Sequence, residues 1–171
     1  MHVVVIGGGS GLWQTIDAVR PIAQRLSVVI PTCANTGTDA LIRRLGPFPA
    51  LATAVELMMH YSGDVAVQRL MQQQFVPLGT PYDRIPFGVL QLIAMAQNTG
   101  ALADTLDAMR TQLRCDIDIL MASETPHDVV ARTSDEHTYL GVAALAQPLS
   151  APVQHFGLEP VVTAHPQVLK V

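Results

Sequence analysis

The amino-acid sequence predicts a three-layer α/β domain with a mainly parallel sheet, a glycine-rich first βα turn and a helical middle section. Three observations carry this prediction. A β-branched apolar run at residues 3–6 ends in a cluster of glycines, Gly7, Gly8, Gly9 and Gly11, broken only by Ser10. A second apolar run at 27–31 closes a strand–helix–strand unit of roughly thirty residues. From 39 to 113 the apolar positions recur three or four apart, the spacing of one helix face. A strand, a glycine turn and a helix that crosses back to a parallel strand make a Rossmann-like start.

Each element follows from its own pattern. The 3–6 run does not alternate with polar residues, which is how a strand covered on both faces reads. Leu12, Ile16, Val19, Ala23 and Leu26 fall at helical spacing and predict a helix running to about Arg25. Further helices are predicted over 39–45, 50–60, 64–74, 87–97 and 102–113. The last carries one stripe of Leu102, Leu106, Met109 and Leu113. Gly46-Pro47, Ser62-Gly63 and Asn98-Thr99-Gly100 separate these segments, and residues 76–86, with prolines at 77, 81 and 86, read as a loop. Short strands bounded by turn residues are predicted over 117–121, 128–133, 138–142 and 153–158, with a hairpin at Asp135-Glu136. There is no repeat and no linker, so one domain is expected.

Composition excludes several functions. Of the 171 residues 49% are hydrophobic and 14% charged, against about 25% charged in an ordinary soluble domain. That much apolar material forms a core rather than a disordered chain. A net charge of −4 offers no basic footprint for nucleic acid. The only lysine is Lys170, which removes a Walker-type lysine and argues against Schiff-base chemistry. Cys33 and Cys115 make neither a disulfide framework nor a metal motif. The opening has no basic stretch or cleavage site of a signal peptide, and no apolar run approaches the roughly 20 residues that span a bilayer. A soluble, cytoplasmic protein without membrane partners is expected.

The glycine cluster is where chemistry is expected. The turn from Gly7 to Leu12 is the expected phosphate site: Gly7, Gly8, Gly9 and Gly11 let backbone N–H groups approach an anion, and the N-terminus of the following helix, with Leu12 in it, adds partial positive charge. Ser10 can cap the helix or donate its hydroxyl to a phosphate oxygen. The alternative is a tight turn with no ligand. A dinucleotide fingerprint is disfavoured, because Leu12 occupies its third glycine position and no acid follows the second strand to hold a ribose. Thr32, Asn35, Thr36 and Gly37 lie at the same sheet edge and can line a ribose or phosphate pocket, or form an ordinary loop capping the next helix.

Other candidates carry blander readings beside the functional ones. Cys33 has no histidine close in sequence to act as its base, and Cys115 reads as structural. Arg43 and Arg44 face either a phosphate or solvent. Glu124, His127 and Asp128 around Pro126 form either a metal trio or a polar loop. Met58, Met59 and Met71 read as core or interface filler.

The stretch Val3-Val4-Val5-Ile6-Gly7-Gly8-Gly9-Ser10-Gly11-Leu12 resembles the opening of the gluconeogenesis factor family, which is similar in fold to 2-phospho-L-lactate transferase. Leu45-Gly46, Pro86-Phe87-Gly88, the 119–123 strand with Asp128-Val129 behind it, and Leu158-Glu159-Pro160 match further family segments in order. The resemblance covers the first half of a typical member and implies a phosphate-binding turn and binding of UDP-N-acetylglucosamine or a related nucleotide. There are departures. Two family aspartates after the second strand give way to the Cys33-Ala34-Asn35-Thr36 stretch. The family's glycine-aspartate-isoleucine-arginine-asparagine segment is shortened to residues 48–53, and its histidine and asparagine around Gly88 become Ile85 and Val89.

A transferase needs a charge clamp on the phosphates and activation of its acceptor. The losses therefore point to nucleotide or nucleotide-sugar binding rather than transfer, and the resemblance implies a role in regulation of carbon flux or cell-wall precursor supply. No catalytic residue, metal site or certain cofactor is assigned. The alternatives are a transferase of the 2-phospho-L-lactate transferase type and an interaction module with a vestigial site. A half-length member would expose apolar surface, so a homodimer or higher oligomer is expected, with the helices of the 50–113 region as interface.

Overall fold

The computed structural model describes residues 1–75, 79, 80 and 82–171. Residues 76–78 and 81 of the expected 76–86 loop, and the Ser10 side chain, lie outside the described residues.

Strand β1 (His2–Ile6) pairs in parallel with β2 (Arg25–Ile30), and β2 pairs in parallel with β3 (Asp118–Met121). The order is β1-β2-β3, with Ile6 opposite Val29 and Val28 opposite Ile119. Every residue of β2 after Arg25 is buried, so both faces of this central strand are covered, as three layers require. Leu26, Val28 and Ile30 project into the main apolar core, where they meet Leu12 and Ile16 of helix α1 (Ser10–Val19) and Ile42 of α2 (Gly37–Leu45).

The middle section is helical. Helix α3 (Ala52–His60) contributes Val55, Leu57 and Met58 to the core, and α5 (Phe87–Thr99) contributes Val89 and Leu92. Between them lies α4 (Val65–Met71), capped by Asp64, whose side chain accepts the N–H groups of Ala66 and Val67. Helix α6 (Leu102–Gln112) buries Leu106 and Met109, half of the stripe read from the sequence; Leu113 caps the helix and is buried, and Leu102 packs on the core's edge.

A second, antiparallel sheet follows, formed by β4 (Asp128–Thr133), β5 (Thr138–Leu140) and β6 (Val153–Glu159) in the order β5-β4-β6. The hairpin at Asp135-Glu136 forms, with Thr133 N–H donating to His137 O and Glu136 at φ 64°. The chain thus has a Rossmann-like α/β fold whose parallel sheet holds only the first three strands.

Several boundaries differ from the sequence expectation. Helix α1 stops at Val19, and a 3-10 turn takes Arg20–Ile22. Pro21 ends it, because proline lacks the N–H that would continue the α-helical ladder. Leu26, expected on that helix, is a buried residue of β2. Asp64 is a cap rather than a helical residue, and α4 ends at Met71, three residues before the expected Gln74. Val142, expected in a strand, starts the short α7 (Val142–Leu145) because Gly141 at φ 84° turns the chain out of β5.

Candidate functional site

The site is built at the carboxyl edge of the parallel sheet. The pairing of Ile6 with Val29 continues one step as Gly7 N–H donates to Val29 O at 3.1 Å. A Cβ on Gly8 would lie 3.7 Å from Pro31 Cδ, so the glycine turn and the start of the 32–37 loop are neighbours. From the third strand Ala122 N–H donates to Ile30 O at 2.9 Å, which brings Ala122 and the buried Ser123 to the same edge.

Gly9 is the pivot of the turn. It sits at φ 72°, ψ −170°, a region essentially reserved for glycine, and forms the N-cap of α1. Leu12 N–H bonds back to Gly9 O at 3.2 Å. Among the described residues the N–H groups of Gly8, Gly9 and Gly11 have no acceptor. Helix α1 has no acidic residue in its first turn, so its positive end is uncompensated. Gly8, Gly9 and Gly11 are exposed and Gly7 is half-buried. Leu12 is different: its side chain is 4% exposed and anchors the turn to the core, where a Cβ on Gly7 would touch its Cδ1 at 3.8 Å.

The 32–37 loop divides. Thr32 is fully buried, its carbonyl accepts Ala50 N–H at 3.1 Å, and its hydroxyl has no partner among the described residues. Asn35 leans away from the glycine turn toward the second sheet. A Cβ on Gly141 would lie 1.8 Å from Asn35 Nδ2, so the amide occupies the space that Gly141 leaves free. Thr36 is the N-cap of α2 through its backbone alone, and Gly37 opens that helix at φ 54°. The structure thus places Thr32 beside the glycines and carries Asn35 to Gly141.

The other candidates have structural occupations. Arg43 bridges α2 and β4, with Nη1 3.0 Å from Asp128 Oδ2 and Nη2 donating to His127 O at 2.6 Å, while Arg44 is exposed. Of the trio around Pro126, Asp128 holds Arg43, and Glu124 accepts Ala103 N–H at the start of α6 and pairs with His165 at 3.7 Å. His127 is buried with Nδ1 2.8 Å from Thr125 O. Among the described residues no three His, Cys, Asp or Glu side chains meet in a metal-binding group. Cys33 is half-buried, and burial pushes the Cys115 thiol up, away from a reactive thiolate.

Sequence reading missed Asp39. It is buried in the first turn of α2, and Oδ1 accepts both Leu51 N–H at 2.8 Å and Ala52 N–H at 2.9 Å. Burial raises its pKa, partly offset by these two hydrogen bonds and by Arg43. Glu56 on α3, although exposed at the surface, is raised as well, by partial desolvation and then by the charge of Asp39. Asp39 follows the candidate loop by two residues, yet its carboxylate is committed to the backbone of α3. Only the contact at residues 51 and 52 could have revealed it.

A cleft of about 410 Å³ lies at the opposite end of the strands, between Arg25, Asp107, Arg110, Asp118 and Lys170. Its arginines are already paired, Arg25 with Asp118 at 2.9 Å and Arg110 with Asp107 at 2.8 Å. No helix among the described residues is long and apolar enough to cross a membrane.

Comparison with known proteins extends the geometry. A protein of Deinococcus radiodurans provisionally named a gluconeogenesis factor is 22% identical over 161 residues, covering 94% of this chain and 34% of its own length. A Vibrio cholerae protein of the same name is 23% identical over 162 residues, covering 95% of this chain and 54% of its own. The chain therefore spans about half or less of the curated relatives that it matches. A crystal structure of a UPF0052 family member from Bacillus halodurans superposes with a TM-score of 0.85 at 18% identity, over 99% of this chain and 55% of that one. The family described as 2-phospho-L-lactate transferase CofD matches residues 3–171, so this chain belongs to the CofD family.

Proposed function

We propose that the chain binds the phosphates of a nucleotide or nucleotide-sugar at the turn made by Gly7, Gly8, Gly9, Ser10 and Gly11, without turning the ligand over. The observation that supports this most is the set of N–H groups of Gly8, Gly9 and Gly11 without acceptors at the uncompensated N-terminus of α1. The 32–37 loop starts next to the turn, where Pro31 neighbours Gly8, and Thr36 and Gly37 are its polar groups for a ribose or sugar, since Thr32 is fully buried and Asn35 sits at Gly141. Leu12 acts by holding the turn on the core rather than by touching the ligand. UDP-N-acetylglucosamine is the first ligand to test, and the role in view is regulation of carbon flux or cell-wall precursor supply.

Absence of catalysis is inferred from where the acids go. Asp39 near the site is used to cap α3, and Asp128 is used to hold Arg43. Membership of a family described as 2-phospho-L-lactate transferase favours a second reading, a transferase acting on a nucleotide-diphosphate-linked substrate. Calorimetric titration with UDP-N-acetylglucosamine and GDP separates the two. Saturable binding without product in the presence of Mg²⁺ and a phosphorylated acceptor is expected. Product formation selects the transferase, and silence with every nucleotide overturns both.

A further inference from the structure

Four buried side-chain atoms among the described residues have no hydrogen-bond partner: Thr32 Oγ1, Asn35 Oδ1, Arg43 Nε and Asp128 Oδ1. The last three lie along one seam, where α2 and the 32–37 loop meet the start of the second sheet. Arg43 reaches across it, to Asp128 with Nη1 at 3.0 Å and to His127 O with Nη2 at 2.6 Å. Asn35 crosses beside it, in the space where a side chain on Gly141 would stand. Gly141 N–H is in turn bonded to Val129 O at 2.8 Å, one residue from Asp128. The remaining atom, on Thr32, sits at the base of the same loop.

Unpaired polar atoms gathered on one seam have a thermodynamic direction. Each has given up a hydrogen bond to water and received none in exchange. The side chains of Arg43 and Asp128 are only 21% and 20% exposed. Their charges are therefore largely desolvated while Nε and Oδ1 are unmatched, an arrangement that weakens a buried ion pair. Opening the seam returns three atoms to water and breaks one ion pair and the His127 contact. The main apolar core does not reach across to hold it shut. Val130 and Ala131 of β4 are buried but stand outside that core, which draws no residue from the second sheet. Helix α2 has separate anchors, Ile42 in the core and Asp39 on the Leu51 and Ala52 N–H groups, so it keeps its place when the seam opens.

We propose that the seam is a latch, closed by Arg43 on Asp128 and by Asn35 at Gly141, which opens while the main core stays folded and releases the 32–37 loop. Latched, the loop holds the Asn35 amide away from the glycine turn, in a place where its Oδ1 bonds to nothing. Released, Asn35 and the neighbouring Thr36 and Gly37 are free to take partners at the carboxyl edge of the parallel sheet. The opening does not rest on the nucleotide reading.

Thiol labelling of the native chain tests this. Cys115, 4% exposed in the main core, is the internal reference for opening of that core. In a chain carrying Cys33→Ala and Asn35→Cys, the thiol at position 35 is expected to react with a disulfide reagent about 100-fold faster than Cys115, because local openings outnumber global ones. Adding Asp128→Ala removes the catch and is expected to raise the rate at position 35 about tenfold. If that variant fails to fold, Asp128→Asn serves instead, keeping the shape and removing the charge. A thiol at position 35 that reacts no faster than Cys115 means that the seam opens only with the whole fold, and overturns the proposal. So does a fast reaction indifferent to the change at Asp128, since that thiol is exposed without any latch.

Discussion

Asp39 and Ala52 are joined by a hydrogen bond of 2.9 Å from the Ala52 N–H to Asp39 Oδ1, and the same oxygen accepts the Leu51 N–H. A side chain in the first turn of α2 thereby supplies the cap that α3 lacks in its own sequence, where Leu51 makes no side-chain cap. The bond also sets where the 32–37 loop can run, because Ala50 N–H is held by Thr32 O in the same layer.

Asp39→Ala is expected to destabilise the fold by about 1–3 kcal/mol for each buried amide left without an acceptor. Asp39→Asn keeps a carbonyl oxygen in place and is expected to cost far less. Urea denaturation of both variants checks this, and equal losses would show that the charge rather than the acceptor matters.

Gly141→Ala is expected to be among the most damaging single-methyl changes in the second sheet. The residue is at φ 84°, and the new Cβ would lie 1.8 Å from Asn35 Nδ2. Backbone strain of about 1–3 kcal/mol adds to the displacement of Asn35. Pairing it with Asn35→Ala should recover the steric part and leave the strain, a non-additivity that a double-mutant cycle of melting temperatures reads directly.

Gly11→Asp separates a ligand site from a mere turn. A Cβ at Gly11 meets no atom within 4 Å, and an acid in the first turn of a helix stabilises it by about 0.3–1 kcal/mol. The same negative charge repels a phosphate. An unchanged or higher melting temperature together with lost nucleotide affinity is the expected pair of results. Gly9→Ala is a poorer probe, since at φ 72° the added methyl strains the backbone whether or not a ligand binds.

Two carboxyls give opposite pH signatures. Burial raises Asp39 above its ordinary 3.8, so folding takes up a proton between the two values and stability falls as pH rises through that interval. Glu56, raised from 4.5 by partial desolvation and by Asp39, adds the same sign. Asp135 is held down to about 2, first by the Thr133 hydroxyl, so its contribution is present above 3.8 and is lost as pH falls toward 2. Denaturation profiles across this range should therefore flatten on the high side in Asp39→Asn and on the low side in Asp135→Asn.

What the amino-acid sequence determined by itself was the set of elements that local patterns encode. The β-branched run ending at Ile6, the glycines that follow it and the apolar spacing of α3, α5 and α6 are periodicities within a few residues of one another, and backbone sterics reads them locally. The glycine turn was legible for the same reason, since only glycine adopts the geometry found at Gly9. Tertiary structure decided what those residues meet. Asp39 became a cap and Arg43 a partner of Asp128 because α2 packs against segments 12 and 85 residues away in the chain. Asn35 left the candidate pocket for Gly141 for a like reason. The exposure of Val4 and Ile6 was equally invisible, because an unbroken apolar run reads as a strand covered on both faces, whereas only Val5 of β1 is buried. Chain-distant contacts assign each polar group its acceptor, and local pattern carries no information about which contact that is.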